Sequence, residues 1–121
     1  MTDLLRNVEL VNLTPHDIDV FSINVPPQLL MRIAKTDSIA RVEMTEKELG
    51  VIQGCPVFAK VLSGTISGLP DPQDGVLFVV STMVLDAVKE RSDLLSPDTG
   101  PSCIRDSNNR IKGITRFMMR E

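Results

Sequence analysis

The stretch that most constrains this chain is "VLFVV", Val76–Val80: five apolar residues in a row, with none of the polar alternation of a half-solvated strand. A run of that length bounded by turn residues reads as a strand buried on both faces. Before it lies "SGLPDPQDG" (67–75), with two prolines and two glycines in nine residues, the clearest loop in the chain. After it "STMVLDAVKER" (81–91) begins at once with residues that cap helices. Met83, Val84, Ala87 and Val88 fall on one helical face, and Lys89 and Arg91 come at the negative end of the dipole. The spacing predicts a helix over about 82–91.

The remaining elements are short. Val8–Leu13 reads as a strand followed by a Thr-Pro-His-Asp turn, and Ile18–Ile23 as its hairpin partner, with Ile18 and Val20 on one face and Asp17 and Asp19 on the other. Pro26-Pro27 interrupts any ladder. Leu29–Ile33 and Ile39–Met44 are further strand candidates. Thr45-x-x-Glu48 has the form of a capping box, and Gly50 can end the single helical turn that it predicts. Val57–Leu62 reads as a strand after a turn at Gly54-Cys55-Pro56. Cys103–Asp106 and Ile111–Met118 suggest a closing hairpin around Ser107-Asn108-Asn109, since Asn tolerates the left-handed conformations of tight turns. The sum predicts an α+β, mainly β fold: a mostly antiparallel curved sheet or partly open barrel with one main helix, in a single domain over residues 1–121. Short strands leave edges to pair, so a homo-oligomer is expected.

Composition excludes several function classes. A net charge of −3 argues against nonspecific nucleic-acid binding, which is driven by phosphate neutralisation. Four Phe with no Tyr and no Trp make a stacking platform for bases a poor fit. Val76–Val80 is too short to span a membrane, and "MTDLLRNVEL" carries acidic residues where a signal peptide needs none, so a cytoplasmic chain is expected. Cys55 and Cys103 then read as free, buried thiols, and the Asn12-Leu13-Thr14 glycosylation pattern carries no meaning. His16 is the sole histidine, with no cysteine or carboxylate at metal-ligand spacing. Neither a Gly-x-Gly-x-x-Gly fingerprint nor a phosphate-loop lysine is present. No metal and no cofactor are expected.

Three features suggest a binding site. Ser81 and Thr82 stand at a strand-to-helix junction, where backbone N–H groups and hydroxyls suit an anion. Arg91, Arg105, Arg110 and Arg116 fall in the last third, and Arg is suited to bidentate recognition of phosphate or carboxylate; a surface network of Arg105, Asp106 and Arg110 is the plainer alternative. Asp98-Thr99-Gly100, in "SPDTGPS", resembles the signature of the aspartic proteases. Those enzymes need two carboxylates sharing a proton, and only 21 residues follow Gly100, too few for most of a protease half. Pro97, Asp98 and Gly100 read more simply as a turn, Asp98 closing an Asx-turn. The candidate ligand-binding set is therefore Ser81, Thr82, Asp98, Thr99, Gly100 and Arg105, with His16 as a further donor; no catalytic set is assigned.

"NLTPHDI" (12–18), "GLPDPQDGVLFVVSTMV" (68–84), "SPDTGPSCIRD" (96–106) and "IKGITRF" (111–117) together resemble a family of small uncharacterised bacteriophage and prophage proteins. No activity attaches to that family. The resemblance implies host-cell cytoplasm as the setting, and either interference with a host defence or an accessory role in the particle or in replication. The expected function is non-enzymatic binding of a small anionic, nucleotide-like ligand. The alternatives are a protein-interaction module aimed at a host protein, with Phe117, Met118 and Met119 as its patch, and, more remotely, an aspartic-type hydrolase.

Overall fold

The computed structural model describes residues 8–121, so the first seven residues of the N-terminal reading lie outside it. In chain order the strands are β1 (Glu9–Asn12), β2 (Ile18–Phe21), β3 (Leu29–Ile33), β4 (Arg41–Ile52), β5 (Cys55–Ser67) and β6 (Val76–Val79). Helix α1 (Thr82–Ala87) follows, then β7 (Leu94–Pro97), β8 (Ile104–Arg105), β9 (Ile111–Gly113) and β10 (Phe117–Met118). The chain is mainly β with one short helix, as the sequence pattern predicts, and its sheets stay open.

The apolar run at 76–80 is the middle of the molecule. β6 pairs in parallel with β1 on one side and with β7 on the other, and β10 adds antiparallel to β7, giving the order β1-β6-β7-β10. Successive side chains of a strand point to opposite faces, and here both faces are covered. Phe78 and Val80 join Leu13, Ala40, Val42, Val84, Leu85, Val88 and Leu94 on the α1 side. Leu77 and Val79 join Ile18, Val20, Ile33, Leu95 and Ile114 on the side of the β2–β3 hairpin. Burial on both faces is why the run shows no polar alternation.

Three sequence expectations give way to tertiary context. β1 does not pair with β2. It lies parallel to β6, while β2 pairs with β3, because the turn after β1 is held by the Asn12 side chain rather than by a two-strand ladder. The two pairs of β6 are thus parallel, with α1 as the crossover between β6 and β7, while β7–β10 and the three hairpins are antiparallel. The capping box at Thr45–Glu48 forms no helical turn. It lies inside β4, with Thr45 opposite Val61 and Glu48 opposite Phe58, where pairing with an apolar strand overrides local preference.

The helix also stops at Ala87, short of the predicted 91. Ser81 caps it, accepting from the Val84 N–H at 3.3 Å. At its other end Val88 is drawn into the core and leaves helical geometry. β7 must start at Leu94, so the chain turns back and Arg91 meets Asp93 instead of the helix end. Its guanidinium donates to both Asp93 carboxylate oxygens (2.9 and 2.6 Å) and to the Pro70 carbonyl (2.7 Å), clasping the 67–75 loop to the sheet. Leu85 is buried, while Met83 and Ala87 of the expected apolar face are exposed. In the same loop Gly68 has φ +76, and a Cβ there would collide with the Ile39 carbonyl. The cysteines are free as expected, but Cys55 is exposed and Cys103 half-buried, not core residues. Among the described residues no helix is long and apolar enough to cross a membrane.

Candidate functional site

β1, β6 and β7 run in the same direction, so their carboxyl ends share one edge of the sheet. In open sheets with parallel strands, that edge is where ligands sit. Here it opens into a cleft of about 630 Å³. Its walls are Thr14–Asp19 after β1, Ser81 and Thr82 after β6, and Ser96, Pro97 and Thr99 at the end of β7. The far wall is Ile111–Ile114, carried by β9. β9 is seated against β2 through backbone bonds from Phe21 N–H to Ile114 O (2.8 Å) and from Ile114 N–H to Asp19 O (2.9 Å). Gly113 permits that approach, since a Cβ there would strike the Phe21 ring and the Asp19 carbonyl.

The Asn-Leu-Thr-Pro-His segment shapes one side of the cleft. Asn12 is fully buried, and its amide NH₂ donates to the His16 carbonyl (2.8 Å) and the Ile33 carbonyl (3.0 Å). Its oxygen accepts from the Thr14 N–H (2.9 Å) and the Thr14 hydroxyl (2.7 Å). One side chain thereby satisfies the polar backbone of the turn that leaves the sheet, which a buried turn requires. The peptide of His16 is pinned inward and the imidazole is left on the exposed lining.

Of the residues singled out from sequence, His16, Ser81, Thr82 and Thr99 meet in this cleft. Thr82 Oγ1 lies 3.1 Å from Ser96 Oγ, linking the helix start to the end of β7. Asp98 and Gly100 do not line it. They face a neighbouring hollow of about 560 Å³ that shares Thr82, Pro97 and Thr99 with the cleft. Arg105 lines neither. Its guanidinium donates to the Asn109 carbonyl at 2.9 Å and braces the β8–β9 turn. Asp106 also serves that turn, accepting from the backbone N–H groups of Asn108 and Arg110. The expected Arg105–Asp106–Arg110 network is therefore a set of backbone bonds rather than ion pairs.

Four groups of the cleft escaped sequence reasoning: Lys112, Ser96, Asp17 and Asp19. Ser96 adjoins the Pro-Asp-Thr-Gly loop and was within reach of it. Lys112 belongs to no motif, and only the docking of β9 on β2 brings it to the wall. Its ammonium lies 5.5 Å from the centre of the Phe21 ring. Among the described residues it makes no ion pair, and the His16 imidazole makes no hydrogen bond. Asp19 is held below the usual carboxylate range, first by its hydrogen bonds from Arg32 (2.5 and 2.9 Å), then by the charges of Arg32 and Lys112. Asp17 accepts from the Lys35 N–H at 2.9 Å.

Asp98 closes an Asx-turn, accepting from the Gly100 N–H at 2.9 Å, and pairs with Arg116 at 2.6 Å. The backbone N–H and then Arg116 hold its carboxyl below the ordinary range. A carboxylate so stabilised is the reverse of a proton-sharing pair. No cluster of His, Cys, Asp and Glu able to hold a metal exists among the described residues. No family model matches the chain, and no curated protein or solved structure matches it either.

Proposed function

We propose that this chain is a non-enzymatic binding protein whose cleft at the carboxyl ends of β1, β6 and β7 takes a small anionic, nucleotide-like molecule. The observation that carries the reading is the meeting of Lys112, His16 and the hydroxyls of Ser81, Thr82, Ser96 and Thr99 in one hollow of about 630 Å³, a size usual for small-molecule sites. Lys112 supplies a point charge for a phosphate, and the hydroxyls supply donors. Asp17 on the adjoining wall, with one carboxylate oxygen engaged by the Lys35 N–H, suits a sugar hydroxyl through the other, as a carboxylate does in nucleotide sites. The anion-binding part rests on Lys112 rather than on the helix start, since α1 spans only six residues and Ser81 already caps it.

In the phage setting that the sequence resemblance implies, such a protein sequesters a host nucleotide signal and so blunts a defence. The reading as a protein-interaction module or a virion or replication accessory draws on exposed apolar side chains outside the cleft, Met118 and Met119 among them; Phe117 is packed against the core and less suited. Hydrolysis at Asp98 has the least support, because Arg116 occupies its carboxylate.

Native mass spectrometry of the purified chain, followed by calorimetric titration with nucleoside mono-, di- and cyclic phosphates, tests the proposal. Lys112→Ala is expected to weaken binding at least tenfold with an unchanged melting temperature, and Arg105→Ala to leave it unchanged. No binding by any member of that panel, or full affinity in the Lys112 variant, overturns the site.

A further inference from the structure

β4 and β5 form an arm that leaves the body. Only its base, Val42 and Ile66, packs into the core beside α1. Beyond the base the strands continue to a turn at Gln53-Gly54, a reach of about 35 Å at ~3.4 Å per residue. Their paired residues share a face. Met44/Leu62, Glu46/Lys60, Glu48/Phe58 and Val51/Pro56 lie on one side, and Thr45/Val61, Lys47/Ala59, Gly50/Val57 and Ile52/Cys55 on the other. Both faces are thus largely apolar, and both are bare: Met44, Leu49, Val51, Ile52, Phe58, Val61 and Leu62 are 43–65% exposed. An isolated two-stranded ribbon is marginal in water, and contiguous exposed apolar surface of this kind marks an interface.

We infer that a second copy of this chain covers the arm, making it the dimerisation element of the protein. Two observations select a copy of the chain over a foreign partner. The arm carries Arg41, Lys47 and Lys60 against Glu43, Glu46 and Glu48, a balance of charge within a chain of net −3. Two arms therefore meet without the repulsion their bodies carry, and the face of Met44, Val51, Phe58 and Leu62 can contact itself across a two-fold because it presents both signs, Glu46 and Glu48 with Lys60. The area also fits. On that face Met44, Val51, Phe58 and Leu62 expose roughly 100 Å² each, about 400 Å² of apolar surface at the centre of an interface that Glu46, Glu48, Pro56 and Lys60 extend toward the ~800 Å² per partner of a standard stable interface. The β2–β3 tip also exposes Ile23 and Val25, but on a loop of no regular face.

Sedimentation velocity on the full chain between 1 and 100 µM tests the inference, paired with hydrogen exchange read over residues 44–62. A dimer is expected, with arm amides more protected at high concentration. Phe58→Glu with Leu62→Glu is expected to give a monomer whose circular dichroism and melting transition at low concentration match the parent. Leu49→Glu with Ile52→Glu repeats the test on the opposite face. A monomer across the whole range overturns the inference, and so does a dimer that survives both pairs of changes. Neither outcome bears on the cleft, whose lining shares no residue with the arm.

Discussion

"VLFVV" at 76–80 and "VFAKVL" at 57–62 are close in composition, yet they meet opposite fates. Phe78 is 1% exposed between two layers, whereas Phe58 is 53% exposed on the arm. An apolar run specifies that a strand must be covered on both faces; it does not say by what. For β6 the chain itself provides both covers, α1 on one side and the β2–β3 hairpin on the other. For β5 the body provides neither beyond the base.

The largest expected break in that comparison comes from truncating the two phenylalanines. Phe78→Ala leaves a cavity between strand and helix and is expected to cost about 3–5 kcal/mol. Phe58→Ala, at concentrations where the chain is monomeric, is expected to cost within about 0.5 kcal/mol, as for other surface changes. Urea unfolding of both variants decides it, and equal losses would mean that the arm belongs to the folded body.

An intermediate effect is expected at Asn12. Replacement by Ala strands the Ile33 carbonyl and the Thr14 N–H in a buried turn and leaves the His16 carbonyl only the Thr14 hydroxyl, at a cost of about 2–3 kcal/mol. It also frees the wall that carries His16. Asn12→Ala should therefore lower both the melting temperature and ligand affinity, in contrast to Lys112→Ala, which lowers affinity alone.

The smallest effect is one of pH. Asp93 is held below the ordinary carboxylate range, first by its hydrogen bonds from Arg91. Its folded value lies below its unfolded value of about 3.9, so the pair's contribution is complete above that pH and is lost as pH falls through it toward the folded value. Asp98 and Asp19 act with the same sign but at the surface, where solvent and salt reduce the effect. Asp93→Asn is expected to remove about 1.5 kcal/mol at pH 7, the low end for a hydrogen bond to a charged group, and to flatten the loss of stability between pH 5 and pH 3. A thermal melt series in which variant and parent fall in parallel would show that the Arg91 clasp contributes nothing.

Much of the local structure was legible in the residues. The 76–80 strand, the 67–75 loop, the Ser81 cap and the Asp98 Asx-turn each follow from a pattern a few residues long. So do four polar residues of the cleft: His16, Ser81, Thr82 and Thr99 are hydroxyls or a donor beside turn signals, at the ends of strands. Other features depend on which strands become neighbours. Nothing near Lys112 marks it, because it reaches the cleft only when Ile114 bonds to Asp19 and Phe21. Arg105 has the right chemistry and the wrong place, since the β8–β9 turn consumes its guanidinium.

What the sequence by itself determined was the mainly β class, the central strand and the turns, because periodicity, proline and glycine act over a few bonds. Tertiary structure alone decided that β1 lies parallel to β6, that a capping box becomes part of a strand, and which polar groups share a cleft. Those outcomes depend on contacts between segments far apart in the chain, and the free energy of burying a face is indifferent to which segment covers it.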